Sequence, residues 1–130
     1  MSLNKTQTLV AALGAAILTC TGIAAAPKPP SRQSEPRVVE IVARKFAFEP
    51  ARVEVTEGET VRLMVRSADG VHGVGIKKFK VAEEVPRGGT PVMIEFTATA
   101  VGEFEILCSE YCGKGHEEMA AKLVVRARAR

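Results

Sequence analysis

The chain has 130 residues and a formal charge of +3, which leaves room for one domain with a single core and none for a second catalytic domain. The basic excess sits at the two ends, while residues 38–125 carry 11 Lys or Arg against 14 Asp or Glu. A mildly acidic folded part excludes the basic footprint of a nucleic-acid-binding domain and suits ordinary solubility or a basic soluble partner.

Lys5 leads into an apolar run of 18 residues, Leu9 to Ala26, the pattern of an export signal. Ala24, Ala25 and Ala26 resemble a small-residue cleavage site, although Pro27 follows at once. The run is also just long enough for a single membrane anchor. Residues 1–26 are therefore read as a signal peptide or membrane anchor, and the rest of the chain is expected in the periplasm or on the outer face of the cytoplasmic membrane. Cys20 lies inside this run as a small buried residue of the signal; an acylated lipoprotein cysteine is the alternative, for which Leu18 and Thr19 make a poor context. Residues 27–37 contain Pro27, Pro29, Pro30 and Pro36 and read as an extended tether.

The domain is expected from residue 38 to residue 126. Its segments are short, rich in Val and Ile, and separated by Gly or Pro, which predicts an all-β antiparallel sandwich. Val38 to Val42 supply a first strand, and Val53 and Val55 belong to another, which ends at the Glu57-Gly58-Glu59 turn. Val61, Leu63 and Val65 alternate with Arg62, Met64 and Arg66, the period-two pattern of a strand with one face in a core. The same alternation runs through Val92, Ile94 and Phe96. Phe104 and Ile106 open a strand after Val101-Gly102, and Leu123 to Val125 form the last one. Residues 127–130 are a basic tail. If the last strand continues, Arg126, Arg128 and Arg130 fall on one side, either as a solvated end or as a row for an acidic partner or anionic lipid.

The chemistry is concentrated in Cys108-Ser109-Glu110-Tyr111-Cys112-Gly113-Lys114-Gly115-His116-Glu117-Glu118-Met119. Two thiols, an imidazole and a thioether are all ligands favoured by soft or borderline metals, and their close spacing lets one loop present them together. Gly113 and Gly115 allow that loop to turn back sharply. The second histidine of the chain, His72, lies 36 residues before Cys108 in a glycine-flanked loop, and loops at one end of a sandwich converge. Several readings compete. The two cysteines could form a disulfide in an exported protein. Cys108, Cys112, His116 and His72 would make a tetrahedral zinc set, which has no use for Met119. Iron–sulfur ligation would want further cysteines, and a cysteine-nucleophile hydrolase lacks an orienting residue.

The loop pattern C-S-E-x-C-G-x-G-H-x-x-M resembles that of the CuA domain of cytochrome c oxidase subunit II, which is shared with nitrous oxide reductase. Further matches are Phe46-Ala47-Phe48-Glu49-Pro50, Glu57-Gly58-Glu59-Thr60-Val61, Ser67 with Asp69 and His72, Val85-Pro86 and Gly102-Glu103-Phe104. The resemblance covers about residues 38–126. It implies a cupredoxin-like Greek-key β-sandwich and a centre of two copper ions. Within that centre Cys108 and Cys112 would bridge both coppers, His72 and Met119 would complete one, and His116 with the main-chain carbonyl of Glu110 would complete the other.

Such a centre would pass single electrons, with a cytochrome c-like donor and a haem-copper oxidase core subunit as the implied partners. The chain departs from the family at Gly70 and Val74, and it contains no tryptophan, so the surface aromatic through which electrons enter familiar oxidases is absent. No haem ligand set or oxygen-reducing site is present, and no catalysis is expected from the chain alone. The rival reading is an extracytoplasmic copper module for delivery or storage, built from the same soft ligands but exchanging its metal readily.

Overall fold

Val61, Leu63 and Val65 are fully buried while Arg62 and Met64 lie half-buried on the opposite face, so the alternation expected of this strand is what sets its two faces. The computed structural model describes residues 34–130. The reading of residues 1–26 as signal or anchor, and that of residues 27–33 as tether, lie outside the described residues. Among the described residues no helix is long and apolar enough to cross a membrane.

Among the described residues nine strands follow one another: β1 (Arg37–Arg44), β2 (Ala47–Glu49), β3 (Arg52–Thr56), β4 (Thr60–Ser67), β5 (His72–Ile76), β6 (Val81–Val85), β7 (Val92–Thr97), β8 (Gly102–Leu107) and β9 (Ala120–Arg126). The only helical pieces among the described residues are two 3₁₀ turns, Lys77–Phe79 and His116–Glu118. One sheet has the order β2-β1-β4-β7 and the other β3-β9-β8-β5-β6. The core lies between them, with Ile41, Leu63 and Ile94 from the first sheet meeting Val55, Ile106 and Leu123 from the second, the packing of a β-sandwich.

Not every pair is antiparallel. β1 runs parallel to β4 and β3 parallel to β9. Pro50 and Ala51 alone separate β2 from β3, so the chain changes sheet there without a reversing loop, and each strand laid beside an earlier one inherits that offset in direction. The strand ends also decide where loops gather. β1, β4, β6 and β8 end, and β2, β5, β7 and β9 begin, at one end of the sandwich, which brings together the β1–β2, β4–β5, β6–β7 and β8–β9 connections. The other end is closed by Phe79, stacked on Phe96 at 5.0 Å and edge-on to Phe104 at 5.2 Å, favourable aromatic geometries.

The basic tail does not form a free row. β9 stops at Arg126, whose guanidinium is paired with Glu54 at 2.8 Å, and the Glu57 N–H donates to the Arg126 carbonyl at 2.8 Å. Arg126 thus shares the Glu54 carboxylate with Arg52 on the sheet surface.

Candidate metal centre

His72 opens β5, Cys108 follows β8 directly, and Met119 stands just before β9, so all three are held by strand ends rather than by free loop. A glycine makes this convergence sterically feasible. A Cβ on Gly73 would collide with Ser109 Oγ and lie 2.7 Å from the Glu110 amide nitrogen. The β8–β9 loop therefore rests directly on the backbone of β5, beside His72. The loop then closes on itself: the His116 N–H donates to the Gly113 carbonyl at 3.0 Å, the Met119 N–H to His116 at 3.2 Å, and the Cys108 N–H to Met119 at 3.2 Å. Gly113 adopts φ +140°, a conformation open to glycine, as expected of the sharp turn. Gly115 makes room for a different neighbour: a Cβ there would lie 2.5 Å from the Phe46 ring.

The donor atoms meet in a small volume. The Cys108 and Cys112 Sγ atoms are 3.6 Å apart and unbonded. His72 Nδ1 lies 4.0 Å from Cys108 Sγ, and His116 Nδ1 lies 3.8 Å from Cys112 Sγ. Met119 Sδ is 3.7 Å from Cys112 Sγ, and the Cys108 thiol donates to the Glu110 carbonyl at 3.1 Å. The ligand atoms of His72, Cys108 and Cys112 all fall within 4.8 Å of one another. His72 is fully buried, and Cys108, Cys112 and Met119 are buried. His116 is half-buried and the Glu110 side chain is exposed, so only the carbonyl of Glu110 faces the cluster. All six sequence-identified residues are thus brought together.

Asp69 sets the direction of His72. Its Oδ1 is 2.6 Å from His72 Nε2, which assigns the proton to Nε2 and leaves the Nδ1 lone pair facing the thiols, the arrangement by which a carboxylate orients a ligating imidazole. Burial opposes ionisation of Asp69, but N–H donors from Lys45 and Gly70 and the His72 ring outweigh it and draw the carboxyl down to about 2. The buried Ser67 hydroxyl holds the same loop, donating to the Gly70 carbonyl at 2.5 Å and accepting the Asp69 N–H at 3.2 Å. Burial, reinforced by the adjacent Cys108 thiol, pushes the Cys112 thiol up to about 11. A neutral buried thiol of this kind gives up its proton when a cation takes its place. Two thiols, two imidazole nitrogens, a thioether and a carbonyl form a donor set that fits copper, and Met119 goes beyond what tetrahedral zinc would use.

The roles of Asp69, Gly73 and Phe46 were not read from the sequence. The Asp69 carboxylate three residues before His72 is a usable local signal for an oriented imidazole. Gly73 and Phe46 carry none, because their importance lies in what packs against them from distant segments.

A cupredoxin-like domain model matches residues 10–125. The chain belongs to this cupredoxin-like family. A cytochrome c oxidase subunit 2 from Thermus thermophilus is 31% identical over 88 residues, covering 68% of this cupredoxin and 64% of that protein. A second cytochrome c oxidase subunit 2 from the same species is matched over 52% of its length, so the chain spans between half and two thirds of these two relatives. By fold, the cupredoxin superimposes on the periplasmic domain of subunit II of cytochrome oxidase from Bradyrhizobium japonicum with a TM-score of 0.62. That match has 19% identity and covers 70% of this chain and 84% of that one. Auracyanin A, a blue copper protein of Chloroflexus aurantiacus, gives 0.56 and 21% identity over 70% of this chain and 99% of that one. Membership of this family, with homology to oxidase subunit II, supports copper as the metal.

Proposed function

We propose that the cupredoxin carries a dinuclear copper centre of the CuA kind and serves as a single-electron relay. The observation that carries the reading is the pair of unbonded thiols 3.6 Å apart, each with a histidine Nδ1 within 4.0 Å of it. Cys108 and Cys112 would bridge both ions, with His72 and Met119 completing one and His116 and the Glu110 carbonyl the other. Two coppers sharing thiolates supply a site that takes up and releases one electron with its charge spread over both metals. The protein's part is to hold the donors. Strand-end placement, the closed hydrogen-bonded loop and the Asp69 bond to His72 limit movement of the ligands, and burial keeps water from Cys108, Cys112 and Met119.

The exposed edge of the centre is His116, with the Tyr111 ring 5.7 Å away and 76% exposed. A cytochrome c-like donor would meet this edge, and the acceptor would be a haem-copper oxidase core subunit. Absorption and paramagnetic-resonance spectra of copper-loaded protein, read with the metal content, test the proposal. Two coppers per domain sharing one unpaired electron, with a reversible redox couple, are expected. A single copper that exchanges quickly and shows no reversible couple would move the delivery or storage reading ahead, and zinc retained in preference to copper would overturn both.

We also infer that the domain works in the periplasm or on the outer face of the cytoplasmic membrane, since the relative from Bradyrhizobium japonicum is described as a periplasmic domain and the segment Leu9 to Ala26 is apolar. Fractionation of the native host should recover it outside the cytosol. Full-length protein in the cytosol would sink this placement.

A further inference from the structure

Phe46 is 39% exposed, yet its ring is wedged against the ligand loop: a Cβ added to Gly115 would lie 2.5 Å from it, and one on Gly113 3.0 Å. The residue before it, Lys45, donates its backbone N–H to Asp69 Oδ2 at 2.8 Å, while Asp69 Oδ1 holds His72 Nε2 at 2.6 Å. Lys45 and Phe46 are the whole connection between β1 and β2. One two-residue turn therefore touches both arms of the centre, through Asp69 to His72 and through the Phe46 ring to the glycines that flank Lys114 and precede His116.

We propose that the β1–β2 turn is a strap that ties the His72 loop to the Cys112–His116 loop and sets how firmly the two histidines are held relative to each other, with Phe46 and Asp69 as its positioning residues. The physical basis is cooperativity. Each loop opens locally at a cost well below that of global unfolding. A rigid element bonded to both makes opening of one loosen the other, whereas two separately anchored loops open independently. The ring can lie over the two glycines because neither carries a side chain, and the contact buries most of its apolar surface against the ligand loop. The proposal deepens the copper reading, and for the retention of metal it rests on that reading.

The test is hydrogen exchange of backbone amides in the metal-free protein, with Asp69→Asn cutting one end of the strap and Phe46→Ala the other. Asparagine keeps one acceptor oxygen and cannot serve both Lys45 and His72. In the strap, Asp69→Asn speeds exchange of the His116 amide, bonded to Gly113 at the far end, by about tenfold. Phe46→Ala likewise speeds exchange of the Gly70 amide, and the double variant is no faster than the faster single one. Phe46→Tyr retains wild-type exchange. Slow exchange in β4 and β9 verifies that each variant is folded, and Phe46→Leu replaces Phe46→Ala if that variant is not. Acceleration confined to the loop carrying each substitution, or effects that multiply in the double variant, would overturn the strap. Copper transfer to a chelator should speed in the same variants. Because amide exchange involves no metal, cross-loop acceleration in a protein that binds no copper would remove the copper reading alone, and normal copper spectra with purely local acceleration would remove the strap alone.

Discussion

Replacing Cys112 with serine is expected to lower the copper content from two ions to about one per domain and to change the spectrum in kind rather than in intensity. Cys112 Sγ lies 3.6 Å from Cys108 Sγ, 3.8 Å from His116 Nδ1 and 3.7 Å from Met119 Sδ. A hydroxyl cannot replace it as a soft bridging donor. Cys108, His72, His116 and Met119 remain, one thiolate with two imidazoles and a weak thioether, which is the ligand set of a mononuclear blue-copper site. Serine is close to cysteine in size and Cys112 lies at the edge of the buried set, 9% exposed, so the fold should persist and the main effect should be on the metal. Metal analysis beside the paramagnetic-resonance pattern decides the matter. A wild type holding one copper, or a variant keeping two with an unchanged shared-electron signal, means the thiols do not bridge.

Gly73→Ala should abolish high-affinity metal binding and lower stability by about 2 kcal/mol, as overpacking a close-fitting core does, a fall in Tm on the order of 10 °C for a domain of this size. The added methyl has nowhere to go. Its neighbours are Ser109 Oγ and the Glu110 backbone nitrogen at 2.7 Å, and backbone cannot rotate aside as a flexible side chain would. The ligand loop must lift from β5, carrying Cys108 and the Glu110 carbonyl away from His72. Gly75→Ala, two residues along the same strand, is the control. There a Cβ meets Ser109 Cβ at 3.5 Å and the Leu107 carbonyl at 3.6 Å, ordinary contacts that should leave the copper content unchanged. Thermal unfolding and metal titration of both variants measure the contrast. A Gly73→Ala protein with unaltered copper affinity would show that the loop is not positioned by this contact.

How much of this was legible beforehand differs by residue. Val61 to Val65 and Val92 to Phe96 declared themselves by alternation, since a strand with one buried face must repeat every two residues. The strands at Ala47–Glu49, His72–Ile76 and Val81–Val85 did not. β2 is too short to show a period, and β5 carries Gly73 and Gly75 where side chains would mark one face. β6 leaves Ala82, Glu83 and Glu84 exposed between two buried valines, which breaks the alternation. The parallel pairings were equally hidden, because they follow from a change of sheet at Pro50-Ala51 and not from the composition of the strands involved.

The inventory of donors and their order in one loop are written in the chain: Cys108, Glu110, Cys112, His116 and Met119 lie within twelve residues, and spacing over so short a stretch limits how far apart they can be. The sandwich is written there too, through alternation and turn residues. Folding fixes which nitrogen His72 presents, through Asp69, and what crowds Gly73 and Gly115, since Ser109 and Phe46 come from segments far along the chain. It alone joins the two arms through Lys45 and Phe46. The physical reason is the same in each case. Ligand identity is a property of side-chain chemistry written locally, whereas the orientation of a ligand is set by strand register and loop packing between residues that the chain brings together only when it folds.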